Sequence, residues 1–219
     1  LIAWKAPEAT HPWWPKLSRF GPGIVDFALL PGTTPQVVAQ ALSRGLAYRP
    51  PVDGGRLRPD GVELRWQNVR PATPDLPFLC GDVTPRALRV PEGPVREHAN
   101  GVQGVAELRV AVHDVAATLE RYRALLGLED VPAPAEGAAS LQLGRTVLKL
   151  ETASANAEAA QRLALQGEGP FAIGLHTTQA HLLGPVVHGH THGAQLELIA
   201  LPETLAGTAP RPHAQSAFA

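Results

Sequence analysis

Methionine is absent from the 219 residues, and cysteine occurs once, at Cys80. A lone cysteine forms no internal disulfide and builds no cysteine-based zinc site. Charge of one sign is missing too: 19 Lys and Arg stand against 20 Asp and Glu, a net −1. Without a basic field there is no long-range attraction for nucleic acid or an anionic membrane. No apolar run approaches the roughly 18 residues of a membrane span. No basic, apolar leader opens the chain, so a cytoplasmic location is expected. The chain instead opens on LIAW. It is expected to be a fragment that begins inside a structural element.

With 44% hydrophobic and 18% charged residues the composition is that of a folded globular chain. Its length suits one large domain or two small ones. Proline (22) and glycine (21) are abundant, which predicts many short elements joined by tight turns.

Residues 1–4 are expected to end a buried strand, and 5–23 to be a Pro- and aromatic-rich connection. Residues 24–30 (IVDFALL) predict a strand. Gly32-Thr33-Thr34 offers an N-cap and Pro35 a first helical position, so a helix follows with Val37, Val38, Ala41 and Leu42 on one face and Gly45 at its end. Residues 56–69 predict two strands about Pro59-Asp60-Gly61, where Pro sets φ and Gly allows a positive φ. Residues 76–80 predict another strand, and 81–103 a linker.

The order then begins again. Residues 105–113 predict a strand, and Asp114 caps a helix over 115–126 that Gly127 closes. Residues 139–143 and 146–151 predict a hairpin, 152–167 a short Ala-rich helix, and 170–177 and 194–200 further strands. A strand, a helix and a run of strands therefore occurs twice. LIAWKAPE at 1–8 also echoes LIALPE at 198–203, as though both end such a unit. The expected class is α+β: repeated βαβββ modules form curved mixed sheets with helices on the outer face. The expected divisions are 1–23 (end of a truncated module), 24–84, a linker over 85–103, a second module over 104–201, and a tail over 202–219. Paired modules create a cleft between concave faces, a natural ligand site.

Three stretches resemble the glyoxalase-like domain proteins of the vicinal-oxygen-chelate superfamily. They are GGRLRPDGVELRWQNVRP with LPFLCGD (54–82), REHANGV (96–102) and AELRVAVHDVAATLERYRALLGLE (106–129). The resemblance implies paired βαβββ modules. It leaves the chemistry open, since that superfamily holds metal-dependent isomerases, lyases and dioxygenases beside metal-free binding proteins. It also implies metal ligands on the first and last strands of paired modules. Glu107 falls at the first-strand position and Glu197 at the last-strand position. The matching position of the 24–30 strand is apolar (Ile24 or Val25), a departure from the pattern. The bland alternative has Glu107 and Glu197 facing solvent.

His98 beside Asn100-Gly101 is a candidate ligand or general base, against a turn-capping role. Glu197 or His98 would move the proton. Arg56 and Arg58 share a strand face and suit bidentate binding of a carboxylate, against an Arg–Asp pair locking the turn. Trp66 and Phe78 are candidates for the pocket wall; the alternative puts Trp66 in the core. His188, His190 and His192 alternate in VVHGHTHG, a pattern that binds zinc or nickel in a strand, although the glycines favour a loop; His176 and His181 do not settle it. Trp13-Trp14 either lids a cleft or pins the connection to the sheet. Cys80 is read as a small buried apolar residue.

The expected function is a glyoxalase-like small-molecule enzyme acting on a small carbonyl or acid compound through a divalent metal (Zn, Ni, Mn or Fe). The alternatives are a metal-free protein that binds or sequesters a small molecule, and an interaction module. The expected partners are a small ligand and, since paired modules can come from two chains, a second copy in a homodimer.

Overall fold

The computed structural model describes residues 6–186 and 191–205. The LIAW opening, His188, His190 and most of the expected tail lie outside the described residues. In chain order come α1 (Trp14–Phe20), β1 (Ala28–Leu29), α2 (Thr34–Ser43), β2 (Val52–Leu57), β3 (Glu63–Val69), β4 (Phe78–Asp82) and α3 (Arg86–Arg89). They are followed by β5 (Val102–Ala111), α4 (Val115–Leu126), β6 (Ala138–Leu143), β7 (Thr146–Glu151), α5 (Ala157–Gln166), β8 (Gly169–Thr177), β9 (Gly184–Pro185) and β10 (Gln195–Ala200). The class is α+β, as expected.

The strands form a four-stranded sheet ordered β1-β4-β3-β2 and a six-stranded sheet ordered β6-β7-β5-β8-β10-β9. One rule generates both. Each opening strand lies parallel to the closing strand of its own unit: β1 to β4, β5 to β7, β8 to β10. The six-stranded sheet is thus two three-stranded halves, joined where β5 and β8 run antiparallel.

Local chemistry explains most elements. The Asp114 side chain accepts the Ala117 N–H at 3.0 Å and starts α4; Gly127, at φ 68°, ends it in the left-handed region that glycine tolerates. Asn156 caps α5 in the same way, accepting from Glu158 and Ala159. Thr33 stands at the N-cap of α2, but its hydroxyl donates to Gln36 rather than serving the helix backbone. Two expectations need correction. The strand over 24–30 shrinks to Ala28–Leu29, because Asp26 turns its carboxylate onto the Phe27 N–H and the Trp13 indole. The connection over 5–23 contains α1, where Pro15 occupies a first-turn position that needs no N–H.

Helix α2 lays Val37 and Ala41 against Val69 and Leu79 of the smaller sheet, and Leu125 of α4 completes that cluster. On the larger sheet, Val115, Leu119 and Tyr122 of α4 pack on Val110, Leu148 and Leu150. The two helices therefore meet back to back between the sheets, and Arg44 donates to the Ala124 carbonyl across the contact.

A buried acid ties the halves together. Asp75, in the segment between β3 and β4, is fully buried. Its Oδ2 accepts from Thr118 (3.0 Å) and Arg121 (2.7–2.8 Å), and its carbonyl accepts the Tyr122 hydroxyl. On the surface, α3 is held to β4 because Arg89 and Arg86 grip Asp82 at 2.6 and 3.3 Å.

Asp75→Ala removes the buried acceptor shared by the Thr118 hydroxyl and the part-buried Arg121 guanidinium and should cost about 1–3 kcal/mol, read from urea unfolding. A loss below about 1 kcal/mol would show that apolar packing alone holds α4 to the 74–77 segment. For Asp82, burial pushes the carboxyl up, but Arg89 and Arg86 outweigh it and hold it below its usual range. Its stabilisation is then complete above the unfolded pKa of about 3.9 and fades as pH falls through the lower folded value. Asp82→Asn should therefore lose about 1–2 kcal/mol at pH 7 and converge with the parent protein as pH falls through the lowered folded value; a gap independent of pH would contradict the ion-pair account.

Candidate functional site

Alternation along β5 sends Leu108 and Val110 toward α4, leaving Glu107 and Arg109 on the opposite face. On that face Glu107 stands opposite Gly174 of β8, and Gly174 stands opposite Glu197 of β10. Two carboxylates thus flank a glycine at one level of the sheet. With neighbouring strands about 4.8 Å apart, their backbones are about 10 Å apart. A Cβ at Gly174 would crowd Ile199 Cδ1 and lie 2.6 Å from Glu107 Cγ, so any larger residue must displace one of them. The glycine's absent side chain helps open a cavity of about 120 Å³, walled by Glu107, Arg109, Glu158, Gly174, Gln195 and Glu197 among others. Helix α5 closes one end, resting Ala159 on Ala111, Phe171 and Ala172.

The charges there are partly spoken for. Lys149 Nζ lies 2.5 Å from Glu107 Oε2. Arg109 holds Glu151 with two parallel hydrogen bonds, Nε at 2.9 Å and Nη2 at 3.2 Å, reaches Glu158 at 3.6 Å, and lies over the Phe171 ring. The Glu151 hydrogen bond, working against burial and helped by the charges of Glu151, Glu158 and Glu107, raises the Arg109 guanidinium above its ordinary value. Glu197 is different: it is exposed and has no ion-pair or hydrogen-bond partner among the described residues.

The sequence-predicted residues divide between the sheets. Glu107 and Glu197 share the groove just described. Arg56, Trp66 and Phe78 stand on the smaller sheet, on the face opposite α2. There the Trp66 indole lies across Gly54, and Arg56 is exposed. Phe78 is covered rather than open: Trp13 packs on it at 5.5 Å, Arg70 lies over both rings, and Trp13 Nε1 donates to Asp26 at 2.8 Å. Trp13 thus pins the connection to the sheet. Arg58 pairs with Asp60 at 2.5 Å and donates to the Leu88 carbonyl, locking its turn.

His98 is exposed in the turn ahead of β5, where Ala99 and Asn100 accept hydrogen bonds from Gln179 and Thr177. It does not join the two glutamates. His176 is buried and its Nδ1 lies 3.3 Å from the Ala200 carbonyl oxygen. His192 stands exposed in the turn before β10. Among the described residues no three His, Cys, Asp or Glu side chains are grouped to hold a metal ion. The Glu107, Glu197 and His98 set therefore does not fit one. Burial pushes the Cys80 thiol up, which suits an apolar role rather than a nucleophile.

Sequence reasoning missed Gly174, Arg109 and Lys149. One signal was available: a single glycine inside an apolar strand, as in FAIGLH, marks a close approach or a gap.

The family model described as "Glyoxalase-like domain" matches residues 1–126. No curated protein matches the chain. Among solved structures, a hypothetical protein from Staphylococcus aureus superposes with a TM-score of 0.60 at 12% identity, over 80% of this chain and 66% of that one. At that identity the likeness shows the fold alone. Methylmalonyl-CoA epimerase from Mycobacterium tuberculosis gives 0.40 at 17% identity, over 50% of this chain and 95% of that one. A mutant 4-hydroxymandelate synthase from Streptomyces coelicolor gives 0.42 at 14%, over 78% and 54%. Scores that low carry no argument about the site.

Gly174→Ala should force Glu107 away from Lys149 and destabilise the protein by about 1–3 kcal/mol, measured as the shift in denaturant midpoint. Unchanged stability would mean that the groove has slack and is not set by this glycine.

Proposed function

Because this chain belongs to the glyoxalase-like domain family, we propose that it binds a small polar molecule in the groove over Gly174, without a metal, and that Glu197 is the group that meets it. The observation that carries this reading is the Glu107–Gly174–Glu197 row, with one carboxylate neutralised by Lys149 and the other left open. The cavity, about 120 Å³, admits a ligand of a few heavy atoms. Its immediate walls carry Glu107, Glu158 and Glu197 against Arg109. That imbalance repels a small acid and favours an amine or a neutral, donor-bearing carbonyl compound. Of the two compound classes expected from the sequence, the carbonyl compound is the one retained.

A catalytic reading is favoured by one specific observation, the absence of a cation beside Glu197 among the described residues. An unpaired carboxylate can accept a proton from a carbon next to a carbonyl. Arg109 or Lys149 would then face the oxygen that gains charge.

Metal content and ligand binding test the proposal together. Dialysed protein should hold far less than one metal per chain, and added Zn²⁺, Ni²⁺, Mn²⁺ or Fe²⁺ should leave its Tm unchanged. Small amines or neutral carbonyl compounds should raise Tm, and Glu197→Gln should weaken their binding about 10- to 100-fold. Near-stoichiometric metal that is lost in Glu197→Gln would overturn the metal-free reading. Carboxylic acids whose binding depends on Glu197 would overturn the charge argument.

A further inference from the structure

A second and larger cavity, of about 320 Å³, lies beyond α5 from the groove. Its walls come from α1 and the connection after it (Lys16, Phe20, Val25), from α5 (Arg162, Leu165) and from the start of β8 (Phe171). The notable group is Arg162. It is only 7% exposed, yet no carboxylate among the described residues pairs with it. Its Nη1 donates to Gln166, while Nε and Nη2 have no hydrogen-bond partner among the described residues. A buried cation without a counter-ion is costly, and proteins normally pair it. Burial accordingly lowers the Arg162 guanidinium from its ordinary value. Lys16 is lowered as well, first by burial and then by the charge of Arg162.

The two unmatched nitrogens are a matched pair. Nε and Nη2 form one edge of the guanidinium, the edge that binds two oxygens side by side. The same chain shows that use, since Arg109 holds both oxygens of Glu151 through its own Nε and Nη2. Space for the group is built in: a Cβ at Gly169 would lie 2.8 Å from Arg162 Nη2. The other ionisable wall residues are Lys16, whose Nζ donates to the Val25 carbonyl, and Glu158, which is 3.6 Å from Arg109. Gln195 Oε1 also lacks a partner among the described residues, and its amide, turned over, presents N–H donors to the same space.

We propose that this cavity holds a small organic oxyanion, a carboxylate or phosphate on an apolar body, gripped by Arg162 and Lys16. The oxyanion takes the free edge of Arg162 as the guanidinium turns from Gln166 into the cavity, and Phe20, Leu165 and Phe171 enclose the apolar part. The site is separate from the groove over Gly174, and its ligand has the opposite charge preference.

Thermal unfolding at constant ionic strength, with hexanoate, phenyl phosphate and inorganic phosphate as probes, tests it. At ten times its dissociation constant, hexanoate or phenyl phosphate should raise Tm saturably by about 3–6 °C; whichever acts more strongly identifies the headgroup. Inorganic phosphate should act more weakly, having nothing to place against the apolar walls. Arg162→Gln should abolish the rise and Lys16→Gln should weaken binding at least 5-fold, while Arg65→Gln, at an exposed position of β3 on the other sheet, should leave it intact. Should Arg162→Gln fail to fold, Lys16→Gln decides. No saturable rise with either organic probe, or a rise that persists in the Lys16 and Arg162 variants, would overturn the proposal.

Discussion

The placement of one sheet against the other depends on a buried carboxylate. Asp75 belongs to the first unit but spends its oxygens on α4 of the second, through Thr118, Arg121 and the Tyr122 hydroxyl. Apolar clusters supply most of the attraction between the halves, yet such contacts are non-directional. Two helices meeting through Leu125, Ala41 and Val37 could slide along each other with little change in buried area. The Asp75 bonds are directional, and in a low-dielectric interior they are hard to replace with anything else. They register α4, and α4 in turn holds the outer face of the sheet whose other face carries the groove.

That groove follows from a simple arrangement. Two glutamates at one level of a sheet would be close enough to repel if their strands were neighbours. β8 separates them, and Gly174 contributes no side chain between them. Lys149 then neutralises one of the pair. The outcome is a small recess with one acid, Glu197, at its rim that has no partner among the described residues. Across α5 the balance is reversed: the larger cavity is walled by Arg162, whose guanidinium has no carboxylate partner among the described residues, and by Lys16. One helix divides an acidic recess from a basic one, and Gln195 touches both.

Local signals were legible in the sequence and distant partnerships were not. Asp114 and Gly127 bracket α4 where their chemistry requires, and Pro59-Asp60-Gly61 turns β2 into β3. The β6–β7 hairpin was equally clear. Residues 12–20 read as irregular because of their prolines and tryptophans, although Pro15 is compatible with a first turn. Asp75 gave no sign of its role, since its partners stand on a helix far along the chain. Glu107 and Glu197 were found through a family pattern, but their separation by β8 depends on strand order, which periodicity does not encode. Arg162 looked like one more polar residue on an Ala-rich helix, and its burial comes from α1 and the connection that follows it, packed beside it.

The parallel pairing within each unit also bears on the order of assembly. Strand β5 bonds with β7 on one side and β8 on the other, so neither neighbour is the next strand in the chain. As the chain leaves a ribosome, β5 is complete well before any strand that can satisfy its backbone. Until β7 and then β8 emerge, it is an open edge ten residues long. Its exposed leading half, with Gln103 and Gly104 among its first five residues, is poorly suited to pairing with another chain during that interval. The composition of the strand at the centre of the sheet thus serves the nascent chain as well as the finished fold.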